Sequence, residues 1–198
     1  MDGGKQQPGT MIVVVGPSGA GKDSLINAAR DHFRNDPSVG FIRRIITRAA
    51  DGETEDHGSV SPEDFAAMKG ESRFAVSWQA HGLHYGIPVE TLDELAAGRT
   101  LIANGSRGAL AAFVDVYPSL AVIEVTARPE VIAERLKLRG RETPDEIERR
   151  LSRVTQDWQP DCKFAIVDNS GALREARQAF IDAVDRLSGP ATPAKAVV

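Results

Sequence analysis

A single cysteine, Cys162, in 198 residues leaves no partner for an internal disulfide, so bridges cannot hold this chain together. Long apolar runs are missing too: the longest near the start is Met11 to Val15, against the roughly 20 residues a membrane-crossing helix needs. Cationic excess is absent, since 24 Lys and Arg face 28 Asp and Glu for a net charge of −4, which argues against a broad nucleic-acid-binding face. The opening Met-Asp-Gly-Gly-Lys lacks the basic stretch and apolar run of a secretory leader. These deficits point to a reducing cytoplasm and to no nucleic-acid or membrane partner. No internal repeat is visible.

What is present suits one soluble α/β domain. Hydrophobic residues make up 41% and charged residues 26% of the chain, near the globular average. At this length a three-layer core needs neither disulfide nor metal. The runs Met11–Val15, Phe41–Ile46, Thr100–Ala103, Leu120–Val125 and Phe164–Val167 read as strands. Several are continuously apolar, as in parallel strands covered on both faces. Helical patterns fall at about 22–34, 88–97, 107–117, 129–139, 145–157 and 171–187, with Pro129 and Pro144 where a first turn tolerates proline. The expected architecture is a doubly wound, five-stranded parallel sheet flanked by helices, with ligands at the carboxyl ends of the strands. A single domain over 10–188 is expected, with tails at 1–9 and 189–198. Turn-rich residues 47–87, with a short helix near Pro62–Lys69, read as an inserted, mobile acceptor-binding subdomain.

The chemistry starts at Gly16-Pro17-Ser18-Gly19-Ala20-Gly21-Lys22-Asp23-Ser24, which follows an apolar strand and opens a helix. That context makes it a phosphate-binding P-loop. The glycines let backbone N–H groups turn inward on phosphates, the helix N-terminus adds positive potential, and Lys22 reaches the β- and γ-phosphates. The residue after the lysine is ordinarily Ser or Thr and ligates Mg²⁺; here it is Asp23. Asp23 either holds the metal, directly or through water, or favours the positive helix end while Ser24 supplies the hydroxyl. ATP and Mg²⁺ are the implied cofactors.

Arginine is concentrated at Arg43, Arg44 and Arg48, and again at Arg135, Arg139, Arg141, Arg149, Arg150 and Arg153. Such clusters suit a small polyanion, or else pair with Glu134, Glu142, Glu146 and Glu148 on solvated faces. The stretch Arg135–Pro144 leaves a helix, breaks at Gly140 and restarts after Pro144, the shape of a lid over about 139–145.

With the loop, Thr47-Arg48, Phe74, His81-Gly-Leu-His-Tyr-Gly86 and the arginine-rich 135–150 stretch, the chain resembles the guanylate kinase family from about residue 10 to 187. The resemblance implies that Arg44, Arg48 and Tyr85 hold an acceptor phosphate, and that Arg139, Arg141 and Arg150 fold over the transferring group. The positions where that family reads guanine are Val76 and Ile87, and its acidic strand end is Ala103-Asn104-Gly105-Ser106-Arg107-Gly108. Without polar partners a base loses orders of magnitude in recognition. Guanine is therefore excluded as the acceptor.

The Lys-Asp pair, Arg43-Arg-Ile-Ile-Thr-Arg48, Ser77–Pro88 and Asn104-Gly-Ser-Arg107 are similar to the ribose 1,5-bisphosphate phosphokinase family of phosphonate breakdown. That resemblance implies a phosphorylated sugar as the small-molecule partner, converted to 5-phosphoribosyl 1-diphosphate. His81, His84, Asn104, Ser106 and Arg107 would then meet the second phosphate. His81 and His84 are alternatively plain turn residues. His57 carries at most a metal or ribose-hydroxyl contact, Trp78 is a packing anchor beneath the acceptor, Asp168 and Asn169 follow the last strand where such kinases hold adenine, and Cys162 is a half-buried thiol. A homodimer is one assembly the sequence allows. The competing readings are a guanylate kinase or other nucleoside monophosphate kinase, and a non-catalytic scaffold of the guanylate-kinase-like kind; the intact loop weighs against the second.

Overall fold

A computed structural model of the chain describes residues 8–47, 57–80, 82–139 and 161–188. Its centre is the strand β1 (Met11–Val15), all five residues of which are inaccessible to solvent. No residue of such a run can face water, so the strand must be covered on both sides. It is paired in parallel with β7 (Thr100–Asn104) on one side and β8 (Leu120–Thr126) on the other. Beyond these lie β2 (Val39–Phe41) and β9 (Lys163–Asp168), giving the all-parallel order β2-β7-β1-β8-β9. The expected five-stranded parallel sheet is present.

Strand alternation divides the core in two. Ile12, Val14, Ile102 and Ile123 pack against α1 (Lys22–His32) and α6 (Leu173–Ser188) through Leu25, Ile26, Phe180 and Val184. Met11, Val13, Val15, Leu101 and Val122 face the other way, onto Leu110 and Phe113 of α4 (Leu110–Val116). Each fully buried ring in these layers is worth about 1.5–3 kcal/mol in desolvation. Helix α1 also matches its own dipole, with Asp23 in the first turn and Arg30 and His32 in the last.

Four readings of the sequence are corrected. Phe41–Ile46 is not one strand: β2 ends at Phe41 inside the parallel sheet, and β3 (Arg44–Ile46) belongs to a second sheet. That second sheet, β4-β3-β6-β5, is built by β4 (His57–Ser59), β5 (Phe74–Ala80) and β6 (Leu83–Pro88), within the region read only as turns and a short helix. The short helix is there as α2 (Pro62–Gly70), with Ser61 accepting from the Asp64 N–H as its N-cap. Pro88 closes β6, so the following helix, α3, is shorter than expected, at Thr91–Ala96. At the N-terminus, the Gly9 N–H donates to the Leu95 carbonyl at 2.8 Å, so Gly9 belongs to the folded body and not to the tail expected over 1–9. The lid over 139–145 and the helix expected at 145–157 lie outside the described residues, apart from Arg139 at the end of α5 (Pro129–Arg139).

The second sheet docks on the first through apolar residues of β5 and β6. Val76 and Ile87 pair across the two strands and join the Leu110–Phe113 cluster. Trp78 lies 5.8 Å from the Phe113 ring, centroid to centroid. Helix α4 thus fixes the second sheet beside the carboxyl ends of the parallel strands.

Candidate active site

The chain leaves β1 at Gly16 with φ 142°, and a Cβ there would come within 2.1 Å of the Val125 carbonyl oxygen. It enters α1 through Gly21 at φ 92°, where a Cβ would come within 2.3 Å of the Asn169 amide nitrogen. Both positions combine left-handed backbone with a close neighbour, so only glycine fits without distortion. Between them the Ala20 carbonyl accepts from Asn169 Nδ2 at 2.7 Å and from Arg135 at 3.3 Å. Arg135 also donates to the Asn169 carbonyl at 2.9 Å. Lys22 Nζ sits over the loop, donating to the Gly16 carbonyl at 2.8 Å and the Pro17 carbonyl at 3.1 Å. The result is a backbone ring with a cation above it at the start of a helix, an arrangement made for an anion. Ser18 is half-buried in the loop, and Ser24 is exposed on the first turn of α1.

Asp23 does not stand alone on that turn. Asn104, the last residue of β7, donates from Nδ2 to Asp23 Oδ1 at 2.7 Å. Asn104 is in register with Val14 and shares the parity of Ile102, which puts it on the α1 side of the sheet. The sequence grouped it with the acceptor residues; the strand's two-residue period places it on the other face.

Arg44, Tyr85 and Trp78 stack together on one face of the second sheet. Arg44 is 7% exposed, with its guanidinium 5.2 Å from the centroid of the Tyr85 ring. Tyr85 in turn stacks on Trp78 at 5.2 Å and 9° between planes. An arginine stacked this way keeps its charge while its orientation is fixed by the ring stack. His57, buried and directly opposite Arg44 in the β3–β4 pairing, lies on the same face. Val76 and Ile87 are buried, with no polar group facing a base.

Arg107 is ion-paired with Glu124, a buried carboxylate on β8 that shares its face with Leu120 and Val122. This is the α4 side, the side on which the second sheet docks. Ser106 is half-buried, and its carbonyl takes the Ala109 N–H, starting the turn into α4.

His84 goes elsewhere. Its ring lies 5.5 Å from Phe65 of α2, on the face that also carries Phe74, opposite to Tyr85. Adjacent residues of a strand point to opposite faces, so His84 does not share the Tyr85 face, where the sequence grouped the two together, and its ring packs beside Phe65 instead. Its backbone N–H instead donates to Thr47 Oγ1 at 2.9 Å, which ties β6 to β3. Arg48, His81, Arg141 and Arg150 fall outside the described residues, as does the side chain of Arg139.

Three contributors escaped the sequence reading. Asn169, read as an adenine-loop residue, spends its amide on the phosphate loop. Arg135 clamps the same loop; its spacing of four from Arg139 on one helix face was the available signal. Glu124 was hidden inside an apolar strand, where a lone carboxylate is itself a sign of a buried partner. Cys162 is half-buried as expected, and burial, then the Asp161 carboxylate, push its thiol up. Among the described residues no three His, Cys, Asp or Glu converge on a metal cage, and no helix is long and apolar enough to cross a membrane.

No family model matches the chain. Curated proteins do: the ribose 1,5-bisphosphate phosphokinase of Rhizobium etli is 49% identical over 185 residues, spanning 93% of this chain and 94% of its own length. That of Agrobacterium fabrum is 45% identical over 92% of this chain and all of its own. The chain belongs to the ribose 1,5-bisphosphate phosphokinase family. Among solved structures, a guanylate kinase from Anaplasma phagocytophilum superposes with a TM-score of 0.67 at 16% identity, covering 92% of this chain and 88% of that one. A gluconokinase from Sinorhizobium meliloti gives 0.53 at 20% identity, over 92% and 95%. These two show the P-loop kinase fold alone. The ribose 1,5-bisphosphate phosphokinase family membership spans nearly the whole chain, so the phosphate loop and the second sheet are both covered by it.

Proposed function

We infer that the chain transfers the γ-phosphoryl group of ATP to the C1 phosphate of ribose 1,5-bisphosphate, giving 5-phosphoribosyl 1-diphosphate and ADP. The observation that carries this reading is the union of an intact phosphate loop with an acceptor face that has a fixed arginine but no base-reading groups. Val76 and Ile87 are 3% and 0% exposed where a purine would need hydrogen-bond partners. The names of the curated relatives agree with it.

The residues present fit MgATP. Gly16 and Gly21 hold the left-handed backbone that wraps the loop, and Lys22 is poised above it. Asp23 offers one hard oxygen donor, suiting an ion that takes one or two carboxylates and otherwise phosphate and water. Bound MgATP supplies an electrophilic γ-phosphorus with part of its charge neutralised. An oxygen of the C1 phosphate, already ionised at neutral pH, bonds to that phosphorus as the bond to the β–γ bridging oxygen breaks. No general base is required, and the chain's task is positioning and charge neutralisation. Lys22 neutralises the β,γ region. Arg44, locked by Tyr85, and Arg107, oriented by Glu124, hold acceptor phosphates. Arg48, His81 and Ser106 remain candidate acceptor contacts, and Arg139, Arg141 and Arg150 candidate lid arginines that exclude water.

The test is ADP release, coupled to a spectroscopic readout, across a panel of phosphorylated acceptors with ATP and Mg²⁺. Turnover with ribose 1,5-bisphosphate and none with ribose 5-phosphate or GMP is expected. Turnover on GMP with none on the sugar bisphosphate would overturn the reading.

A further inference from the structure

We propose that Asn104 is a positioning residue for Asp23. Its amide holds one carboxylate oxygen so that the other is presented to the metal of MgATP, a two-residue device in place of the usual single hydroxyl. The inference rests on the ATP-dependent reading above and says nothing of which acceptor is used.

Four observations converge on it. First, the pair is made between elements 81 residues apart: Asn104 Nδ2 donates to Asp23 Oδ1 at 2.7 Å, within the range of a charge-assisted bond. Second, Asn104 is turned away from the acceptor. In register with Val14, it lies on the α1 face, whereas Trp78, Val76 and Ile87 join the cluster on the α4 face. Third, Asp23 immediately follows Lys22, the position whose side chain meets the metal in P-loop enzymes. No second partner holds Asp23 among the described residues; only Oδ1 is engaged. Fourth, a carboxylate needs such a restraint where a serine hydroxyl does not. It is one atom longer and has two equivalent oxygens, so without a fixed partner it can swing between metal, water and the backbone N–H groups of the helix start. Outer partners that orient a ligating group typically change metal affinity 10–100-fold when removed.

The pair also couples the end of β7 to the first turn of α1. Gly105, the next residue, comes so close to β1 that a Cβ would lie 2.4 Å from Val13 Cγ1. The end of β7 therefore has little freedom, and Asn104 presents its amide from a rigid support. That rigidity is what a positioning residue requires.

The experiment uses Mn²⁺ as the probe, with paramagnetic resonance counting bound ion in the complex of full-length protein with a non-hydrolysable ATP analogue and no acceptor present. Asn104→Ala is expected to weaken Mn²⁺ binding in that complex by about tenfold, with analogue binding in EDTA unchanged. In an Asp23→Ser background, where a hydroxyl restores the usual ligand, the same substitution should have no further effect. Unchanged Mn²⁺ affinity in Asn104→Ala overturns the proposal. So does an equal loss in both backgrounds, which marks a merely structural residue. Because no acceptor is present, failure of the sugar bisphosphate assignment would leave the Mn²⁺ result standing.

Discussion

The two sheets divide the labour and read differently. The parallel sheet ends in a loop whose every element, strand, glycine spacing, lysine and helix, follows from a short contiguous segment. The second sheet gathers Arg44, His57, Trp78 and Tyr85 from four strands and offers no contiguous motif at all. One is a general device for a triphosphate; the other is proposed above as the surface specific to one acceptor. It follows that damage to the first should abolish chemistry on any acceptor, and damage to the second should spare ATP.

The largest effect is expected from Lys22→Ala, which removes the cation above the loop. A loss of about 10²–10³ in kcat with little change in melting temperature is expected from steady-state kinetics and calorimetry. Val76→Glu asks whether the acceptor sheet can be turned back toward a base. The side chain is buried against β6 and α4, and an unpaired carboxylate there costs several kcal/mol. A clear fall in Tm without any gain of GMP turnover is expected; GMP activity in this variant would show that the comparison between the two regions is wrong. Arg44→Ala removes a fixed charge from the acceptor face and should raise the acceptor KM about 10- to 100-fold while the Kd for ATP stays as it was. Gly21→Ala should do the reverse. It imposes at least about 1–2 kcal/mol of backbone strain at φ 92° and presses on Asn169, so ATP binding weakens and the acceptor Kd is spared. The smallest effect concerns Cys162, whose thiol is pushed up by burial and then by the Asp161 carboxylate, which disfavours the reactive thiolate. Alkylation by iodoacetamide at pH 7 should be slower than that of free cysteine and should leave activity intact.

How much was legible follows the same division. Met11–Val15, Leu120–Val125 and the loop between β1 and α1 announce themselves because burial on both faces forces a continuous apolar run and because a phosphate ring forces glycine. Phe41–Ile46 misleads for a physical reason: two short strands of different sheets abut, and hydrophobicity alone does not mark the change of sheet at Ile42 and Arg43. The strands β5 and β6 were hidden by what they carry. Their outward positions hold His84, Gly86 and Gln79, and their inward ones Trp78 and Tyr85, so the pattern reads as a mixed loop. Face assignments were the least accessible. Asn104 and His84 are polar residues near the site in sequence, but only pairing register tells which side of the sheet each one serves. Arg107 is held by a carboxylate, Glu124, that no motif contains.

The central claim is that an oxygen of a sugar C1 phosphate receives the phosphoryl group. Following ATP, Mg²⁺ and ribose 1,5-bisphosphate by ³¹P resonance with catalytic amounts of the protein tests it directly. The account requires the C1 monoester signal to fall as a pair of coupled diphosphate signals grows beside those of ADP, with the C5 monoester untouched. An unchanged C1 signal while ATP is consumed, or phosphorylation at a ring hydroxyl, would contradict it.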